Sequence, residues 1–413
     1  MGHLHRLLSP ENLRRLAWLA FLGPFFFLSY NFANGFAAAR EPGVPSIVFD
    51  WEWSVPFWAW TILPYWSSDF LYAASFLTCR TRDEIDLLGK RLLAIQVVSV
   101  FFFVVFPLKL LYPRPVLDGF FGFLFQTLVS FDLAYNEAPS LHVSLAWILW
   151  RQYRGPFWGA WFTVIALSTM TTHQHHFIDL PTGLWAGVLV VALLPARRRP
   201  ECARPRLAAF YGAGAAALTV AAFLWQGWAW GLLWPAFSLS LVAAAYATGR
   251  VEALGKTGSS PPFWMWPYTV FAWLNSHAWR TGVSEIAGGV WVGRPAARGF
   301  RSVVDLTGEL PVRADRRAPM LDLALPAVEQ IEAAVRAIEE LRDRRPTLVC
   351  CALGYSRSAA AAVAWMVAAG RAGSVEEAVA RVREARPGVV IKEALLERLR
   401  EWARWREREK TRD

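Results

Sequence analysis

A cysteine and an arginine lie six positions apart in the C-terminal third of the chain, within residues 351–358 (CALGYSRS). The apolar run 347–350 before this segment predicts a short buried strand, and the alanine-rich run 359–369 after it predicts a helix. A tight loop between a strand and a helix start presents free backbone N–H groups to an anion. The sequence therefore predicts an oxyanion-binding loop that begins with a thiol.

Each side chain of this loop has a chemical use in transfer of a phosphoryl group. The electrostatic field of the free N–H groups in the loop should stabilise the thiolate of Cys351, and Cys351 is therefore the candidate nucleophile. The planar guanidinium of Arg357 can bind two phosphate oxygens at once. Ser358 is placed to stabilise the sulfur as it leaves. The remaining phosphate-binding positions are Gly354, which allows the loop to turn, Tyr355 and Ser356.

A phosphocysteine mechanism also needs a proton for the departing alkoxide, and a carboxylic acid on a separate loop can supply it. Asp322, within residues 319–326 (PMLDLALP), is the predicted general acid. Asp305 and Asp315 are the alternatives, although Asp305 follows an apolar run and is expected to end a strand.

Residues 283–413 resemble a dual-specificity phosphatase of the protein tyrosine phosphatase superfamily. The signature Cys-x5-Arg-Ser is present in full, and residues 302–311 (SVVDLTGELP) resemble the strand and turn before the acid loop of that family. The resemblance implies an α/β fold and assigns the general acid to Asp322. One departure is that the residue before the nucleophile is usually histidine and here is Cys350. This raises the hypothesis of a reversible disulfide between Cys350 and Cys351.

A second group of reactive residues lies in the apolar part of the chain. His142 ends the segment 139–142 (PSLH), and residues 168–179 (STMTTHQHHFID) contain His175 and Asp179. A carboxylate four positions after a histidine can reach its ring on a helical turn, fix the tautomer and leave the other nitrogen free to attack. His142 could then protonate a leaving alkoxide, while Lys109 and Arg114 could neutralise a phosphate.

Residues 90–196 resemble the type-2 phosphatidic acid phosphatase superfamily, including its sphingomyelin and inositol phosphorylceramide synthase branch. The Pro-Ser-Gly-His motif corresponds to residues 139–142, and Ser-Arg-x5-His-x3-Asp corresponds to residues 168–179, with Thr169 in place of arginine as in the synthase branch. The resemblance implies His175 as nucleophile, Asp179 as its orienting partner and His142 as general acid. The phosphate-binding positions would be Arg114, Lys109 and Ser140. Lys109 and Arg114 are separated by four residues instead of the six of the family motif.

A metal ion held by the neighbouring histidines at positions 173, 175 and 176 is an alternative interpretation of this segment. No cysteine ligand or carboxylate-rich partner loop supports it, and we predict no metal or cofactor at either site.

The elements that must position these residues differ between the two parts of the chain. Of the 413 residues, 55% are hydrophobic, 15% aromatic and only 18% charged, which predicts a membrane protein. Apolar runs predict about eight membrane spans. They cover residues 16–36, 57–78, 92–111, 141–153, 157–172, 182–196, 207–226 and 228–248.

The distribution of Lys and Arg between these runs predicts the orientation. With the N-terminus inside, the inner loops carry Arg6, Arg14, Arg15, Arg80, Arg82, Lys90, Arg91, Arg151, Arg154, Arg197, Arg198, Arg199, Arg204 and Arg206. The outer loops carry Arg40, Lys109 and Arg114. This asymmetry predicts a multi-pass protein of the cell (inner) membrane with a cytoplasmic C-terminal domain. A cleaved signal peptide ending near residues 37–39 is the alternative for the N-terminus.

The predicted fold is thus a multi-span α-helical membrane bundle followed by a soluble α/β cysteine-phosphatase domain. The predicted parts are a polytopic membrane domain (1–250), a linker with an interfacial segment (251–282) and the phosphatase domain (283–413). The last part should contain helices at 326–343 and 375–386, the second with a capping box from Ser374 and Glu377, and a final amphipathic helix after Pro387.

Charge and cysteine content exclude other classes of function. The net charge of +10 comes without a basic stripe with interleaved aromatics, so we predict no nucleic-acid partner. The four cysteines show neither metal-ligand nor disulfide-framework spacing.

These features predict a bifunctional membrane phosphatase. An outward-facing histidine site would hydrolyse a phospholipid or lipid pyrophosphate through phosphohistidine. A cytoplasmic cysteine site would hydrolyse a phosphoprotein or phospholipid through phosphocysteine. Two alternatives stay open for the membrane part: a lipid phosphotransferase, or a non-catalytic lipid-binding anchor.

Overall fold

The computed structural model describes residues 9–113, 116–279, 282–295, 299–344 and 346–411. The chain divides into two compact units, residues 1–196 and 197–413. The described part of the first unit contains seven α-helices. They are α1 (Pro10–Ala38), α2 (Ile62–Ala74), α3 (Arg82–Val105), α4 (Gly119–Phe131), α5 (Leu141–Tyr153), α6 (Pro156–Thr171) and α7 (Asp179–Leu193).

Local sequence accounts for where several of these helices begin. The Ser9 side chain accepts a hydrogen bond from Asn12 N at the start of α1, and the Thr81 side chain accepts one from Glu84 N at the start of α3. These caps satisfy N–H groups that have no partner inside the helix. Pro156 occupies the first position of α6, where its missing N–H costs nothing.

Four helices are long and apolar enough to cross a membrane, and such helices are compatible with membrane association. They are Pro10–Ala38, Arg82–Val105, Pro205–Trp225 and Gly227–Thr248. The predicted count of about eight is not confirmed. The predicted run 57–78 forms α2 flanked by two 3₁₀ turns, and the run 92–111 ends as a helix at Val105, two residues before Pro107. Helix α4 was not among the predicted spans.

The second unit begins with a pair of packed helices, α8 (Pro205–Trp225) and α9 (Leu233–Thr248), joined by a 3₁₀ turn. We call residues 197–248 the helical hairpin. Its two ends are tied by hydrogen bonds from Arg199 N to Thr248 O and from Arg204 N to Tyr246 O. Gly249 ends α9 with a φ of +69°, and a Cβ there would lie 2.0 Å from Arg199 O, so only glycine fits this position.

A five-stranded sheet forms the centre of the C-terminal part, in the order β1-β2-β5-β3-β4. The strands are β1 (Ser284–Ala287), β2 (Val290–Gly293), β3 (Ser302–Thr307), β4 (Arg316–Met320) and β5 (Thr347–Cys350). Only β1 pairs antiparallel; the other pairs are parallel, with Cys350 opposite Gly293 on one side and Asp305 on the other. The parallel strands therefore bring several loops to one edge of the sheet, beside Cys351.

Five helices accompany the sheet: α10 (Trp266–Ala278), α11 (Val328–Glu339), α12 (Arg357–Ala368), α13 (Val375–Ala385) and α14 (Glu393–Lys410). Helix α12 is buried from Arg357 to Met366 and packs with the apolar side chains of β2, β3 and β5. The strand predicted at 347–350 and the α/β phosphatase domain are confirmed. The predicted helices 326–343 and 375–386 are observed as α11 and α13. The Ser374 side chain accepts a hydrogen bond from Glu377 N, as predicted, but the Glu377 carboxylate accepts one from Gly373 N, so only half of the predicted capping box is observed.

The segment that follows the hairpin, which we call the strap (residues 249–262), is fastened to this domain by a buried ion pair. Lys256 Nζ donates to Asp305 Oδ2 at 2.6 Å, and also to the carbonyl and hydroxyl oxygens of Thr307. The side chains of Lys256 and Asp305 are only 6% and 1% exposed. Because an unpaired buried charge is costly, each charge depends on the other.

We expect Lys256→Met to destabilise the second unit strongly, because it leaves the Asp305 carboxylate buried without its cation. The free energy of unfolding should fall by about 3–5 kcal/mol, with the apparent Tm lowered by roughly 10 °C. Thermal unfolding of the full chain in detergent measures this. Arg336→Met is the control, because Arg336 is 70% exposed and its pair with Glu332 should contribute less than about 1 kcal/mol. Equal shifts for the two variants would contradict the prediction.

The domain boundaries predicted at residues 250 and 283 stay predictions. In the structure, the hairpin and the strap belong to the same compact unit as the sheet.

Candidate active sites

The loop between β5 and α12 places the thiol of Cys351 at the helix start. Gly354 has a φ of +74°, and a Cβ there would lie 2.6 Å from the carbonyl carbon of Gly293, so the loop packs directly on the end of β2. Cys351 Sγ lies 3.2 Å from Ser358 Oγ, and both residues are buried. A hydroxyl in this position can donate a hydrogen bond to a sulfur that carries negative charge.

Cys350 has a different environment from its neighbour. Its Sγ lies 3.5 Å from Val304 O, and it packs with Leu310, Val312 and Leu348, whereas Cys351 belongs to the core shared with α12. Burial raises the pKa of Cys350 well above its ordinary value. Since the two side chains pack in different apolar clusters, a disulfide between them requires a change in the backbone, and it stays a hypothesis.

Arg357 is held by two loops of the sheet edge. Its Nη2 lies 2.7 Å from Glu309 Oε1 and 3.1 Å from Asp322 Oδ1, and its Nη1 donates to Met320 O at 3.0 Å. Burial opposes the charge, but the carboxylates of Asp322 and Glu309 outweigh it and hold the pKa of Arg357 well above its ordinary value. Its Nε is buried and has no hydrogen-bond partner among the described residues. One donor of the guanidinium is therefore free to bind an anion.

The three candidate acids have different surroundings. Asp322 is on the loop after β4, and its side chain is 42% exposed beside Arg357. Asp305 lies within β3 and is paired with Lys256, while Asp315 Oδ2 accepts a hydrogen bond from Val303 N. The structure thus brings only Asp322 of these three into contact with Arg357.

Two residues of this site were missed by the sequence analysis. Glu309 binds both terminal nitrogens of Arg357. Arg386 is 5% exposed; its Nε donates to Gly354 O at 2.8 Å, and its guanidinium lies 5.1 Å from the ring centre of Tyr355. These contacts of Arg386 hold the loop between β5 and α12 in place. In the sequence, Glu309 and Arg386 are marked only as charged residues beside apolar segments, and this pattern does not identify their partners.

In the first unit, a loop between α6 and α7 places His175 among carboxylates. His175 Nδ1 lies 3.1 Å from Asp179 Oδ2 and 3.6 Å from Glu137 Oε2, and all three residues are buried. The N–H groups of Gln174 and His175 both donate to Thr169 O, which fixes the loop. Glu137 was missed by the sequence analysis, although it is an isolated acid five residues before His142.

His142 lies in the first turn of α5, where the Ser140 side chain accepts a hydrogen bond from Val143 N. The ring of His142 is stacked on Tyr65 at 3.9 Å between ring centres, and it is 6.1 Å from the ring of His175. Ser140 N donates to Asp179 O, so the starts of α5 and α7 are joined directly. The structure therefore brings His142, His175 and Asp179 together.

Burial and the neighbouring charges shift the pKa values of two members of this group, Glu137 and His175. Burial raises the pKa of Glu137. Burial opposes protonation of His175, but its hydrogen bonds with Asp179 and Glu137 outweigh that effect and raise its pKa. The ligand atoms of Glu137, His175 and Asp179 lie within 4.8 Å of one another, a spacing that could also hold a metal ion.

The other predicted residues of this site have separate partners. Lys109 Nζ pairs with Glu41 at 3.3 Å, and Arg114 lies outside the described residues. His176 Nδ1 lies 2.9 Å from Glu52 Oε2, and its Nε2 accepts a hydrogen bond from Leu111 N. His173 Nε2 lies 3.1 Å from Val55 O. The histidines at positions 173, 175 and 176 therefore do not share one metal-binding position.

Comparison with known proteins identifies the class of the C-terminal domain. Residues 306–405 match the family model described as "Dual specificity phosphatase, catalytic domain". This part of the chain is therefore a dual-specificity phosphatase domain, which supports a cysteine-based phosphatase and confirms that part of the predicted resemblance. No curated protein matches the chain.

Solved structures of other proteins each match about a third of this chain. Tk-PTP in its active form is 29% identical, over 30% of this chain and 98% of its own, with a TM-score of 0.27. Human DUSP28 is 22% identical over 31% and 99%, also with a TM-score of 0.27. PTPMT1 is 17% identical over 32% and 100%, again with a TM-score of 0.27.

Proposed function

We propose that the chain is a bifunctional phosphatase of the cell (inner) membrane. Its cytoplasmic cysteine site would hydrolyse a phosphomonoester carried by a protein or a phospholipid. The observation that carries this proposal is the 3.2 Å contact between the Cys351 thiol and the Ser358 hydroxyl, next to Arg357, whose buried Nε has no partner among the described residues. The class of the domain supports the same chemistry.

The residues account for both chemical steps of the cysteine site. The Cys351 thiolate attacks phosphorus, the bond from phosphorus to the ester oxygen breaks, and the departing oxygen takes a proton from the Asp322 carboxyl. Arg357 and the loop amides bind the phosphoryl oxygens throughout. In the second step, water attacks phosphorus while Asp322 takes its proton. The sulfur leaves with the bonding electrons, stabilised by Ser358, and inorganic phosphate is released.

For the membrane part, the grouping of His142, His175, Asp179 and Glu137 favours a second, outward-facing site. His175 would attack a lipid phosphate or lipid pyrophosphate, with its tautomer fixed by Asp179, and His142 would protonate the leaving oxygen. Two other functions compete with lipid phosphate hydrolysis: transfer of a lipid head group to another alcohol, and lipid anchoring without catalysis.

Paired variants of the full chain in lipid–detergent micelles separate these functions. We expect Cys351→Ser to lose hydrolysis of a soluble aryl phosphate, and His175→Ala to lose phosphate release from phosphatidic acid, by about 10³-fold or more in each case. His277→Ala, which changes a histidine in α10, should affect neither reaction.

Each competing function has its own outcome in this experiment. If His175→Ala leaves lipid phosphate release unchanged while Cys351→Ser abolishes all activity, the membrane part is an anchor. If labelled phospholipid gives a product other than free phosphate, and His175→Ala removes that product, the membrane part is a transferase.

A further inference from the structure

The general-acid residue lies on a loop whose backbone needs support. We call residues 321–326 the acid loop. Leu323, directly after Asp322, has a φ of +53° and a side chain that is 71% exposed. A non-glycine residue in this conformation is strained, and it persists only where its surroundings hold it.

The support comes from the helical hairpin. Arg204 Nε donates to Leu323 O at 3.1 Å, and the buried Tyr246 hydroxyl donates to Asp322 O at 3.1 Å. These two residues are themselves joined by the hydrogen bond from Arg204 N to Tyr246 O. The carbonyl groups on both sides of the strained Leu323 Cα, those of Asp322 and Leu323, therefore accept hydrogen bonds from the joined ends of α8 and α9.

The strap fastens a second loop that contacts the guanidinium of Arg357. Val312 N donates to Ser259 O, and Gly308 packs against Val251 and Leu254 so closely that a Cβ would lie 2.3 Å from Val251 Cγ2. The loop between these two contact points carries Glu309. The buried pair between Lys256 and Asp305 fixes the strap nearby.

Both carboxylates that contact Arg357 are therefore on loops held by residues 197–262. This segment precedes the range 306–405 that matches the phosphatase family, so these contacts are made by a part of the chain outside the family domain. It also includes two of the helices that are long and apolar enough to cross a membrane.

We propose that the helical hairpin sets the position of the general acid, with Arg204 and Tyr246 as positioning residues that act through the backbone of Asp322 and Leu323. This inference rests on the proposed cysteine-phosphatase function. It means that the acid loop is assembled on two helices that are long and apolar enough to cross a membrane, so proton donation depends on the position of that hairpin.

The test uses the dependence of the rate on the leaving group, because only poor leaving groups need a proton. The substrates are an aryl phosphate with an acidic phenol and an alkyl phosphate. The measured quantity is kcat/KM for the alkyl ester divided by kcat/KM for the aryl ester, which we call the leaving-group ratio. Asp322→Asn gives the reference, and it should lower the ratio by about 10²-fold or more.

We expect Tyr246→Phe and Arg204→Ala each to lower the leaving-group ratio by about threefold to tenfold, since each removes one hydrogen bond to the loop. The double variant should lower it further. In the Asp322→Asn background the same changes should have no additional effect on the ratio, because the asparagine cannot donate the proton that the hairpin would position. Arg204→Lys, which keeps a donor, should restore part of the loss.

Matched controls lie on the same hairpin. Thr248→Val removes a hydroxyl whose one hydrogen bond with the described residues goes to Ala244 O within its own helix. Arg206→Ala removes a charged side chain that has no hydrogen-bond or ion-pair partner among the described residues. Both should leave the ratio unchanged within about twofold.

Two outcomes would overturn the inference. If the hairpin variants lower both rates equally, the hairpin stabilises the domain without positioning the acid. If neither rate changes, the two hydrogen bonds have no role in catalysis. Failure of the underlying function is a separate result: the wild-type chain would then hydrolyse neither ester, or Cys351→Ser would retain activity on both.

Discussion

Replacing Cys351 by serine should abolish hydrolysis at the cysteine site while leaving the oxyanion-binding loop intact. A serine hydroxyl ionises far less readily than a thiol, so the variant lacks a nucleophile at neutral pH. We expect kcat/KM for an aryl phosphate to fall by about 10³-fold or more. Binding of inorganic phosphate should change by less than about threefold, because Arg357 and the loop amides remain.

The covalent intermediate provides the direct measurement. Rapid acid quenching of the wild-type chain during turnover, followed by mass spectrometry, should find the phosphoryl group on Cys351. Cys350→Ser is the matched control, because burial raises the pKa of Cys350 and keeps it a neutral thiol. That variant should retain activity. A phosphoryl group on Cys350, or activity that survives Cys351→Ser, would contradict the assignment.

Replacing Arg357 by lysine should have the next largest effect on the cysteine site. The guanidinium contacts Glu309, Met320 O and Asp322 through its terminal nitrogens and keeps its Nε free. A lysine ammonium has its three donors on one nitrogen and lacks the planar fork, so it cannot keep the contacts with Glu309 and Met320 O while presenting a separate N–H group to phosphate. We expect kcat/KM to fall by about 10²–10³-fold, as for loss of a transition-state hydrogen-bond donor.

Steady-state kinetics and inhibition by inorganic phosphate would measure this effect, because both depend on how tightly residue 357 binds the phosphoryl group. Arg383→Lys is the control, since Arg383 donates to Ile391 O and lies outside the loop. Glu309→Gln separates holding the arginine from binding substrate: it should lower the apparent Tm more than it lowers kcat/KM. If Arg357→Lys stayed within about threefold of the control, Arg357 would not be the phosphate clamp.

Much of the cysteine site could be predicted because it is continuous in the sequence. The apolar strand, the loop with Gly354 and the alanine-rich helix are neighbours along the chain, and their local preferences already specify a strand, a turn and a helix start. The capped start of α13 is local in the same way. The apolar N-terminal part was less predictable, because hydropathy identifies an apolar segment but does not identify where the helix ends inside it.

Glu309, Arg386 and Glu137 could not be assigned from the sequence. Their partners lie 48, 32 and 38 residues away, at Arg357, Gly354 and His175. A charged residue next to an apolar segment is compatible with many pairings, and only packing selects one. The contacts of Arg204 and Tyr246 with the acid loop are of the same kind.

The sequence alone predicted the nucleophile and its loop and determined the class of the phosphatase domain, because these depend on adjacent residues and backbone preferences. The tertiary structure decided which charges are buried together and which loops are held. A buried charge must find a partner of opposite sign, and a strained loop must find donors for its carbonyls. Both requirements are met by residues that are distant in the chain, so folding, not spacing, selects them.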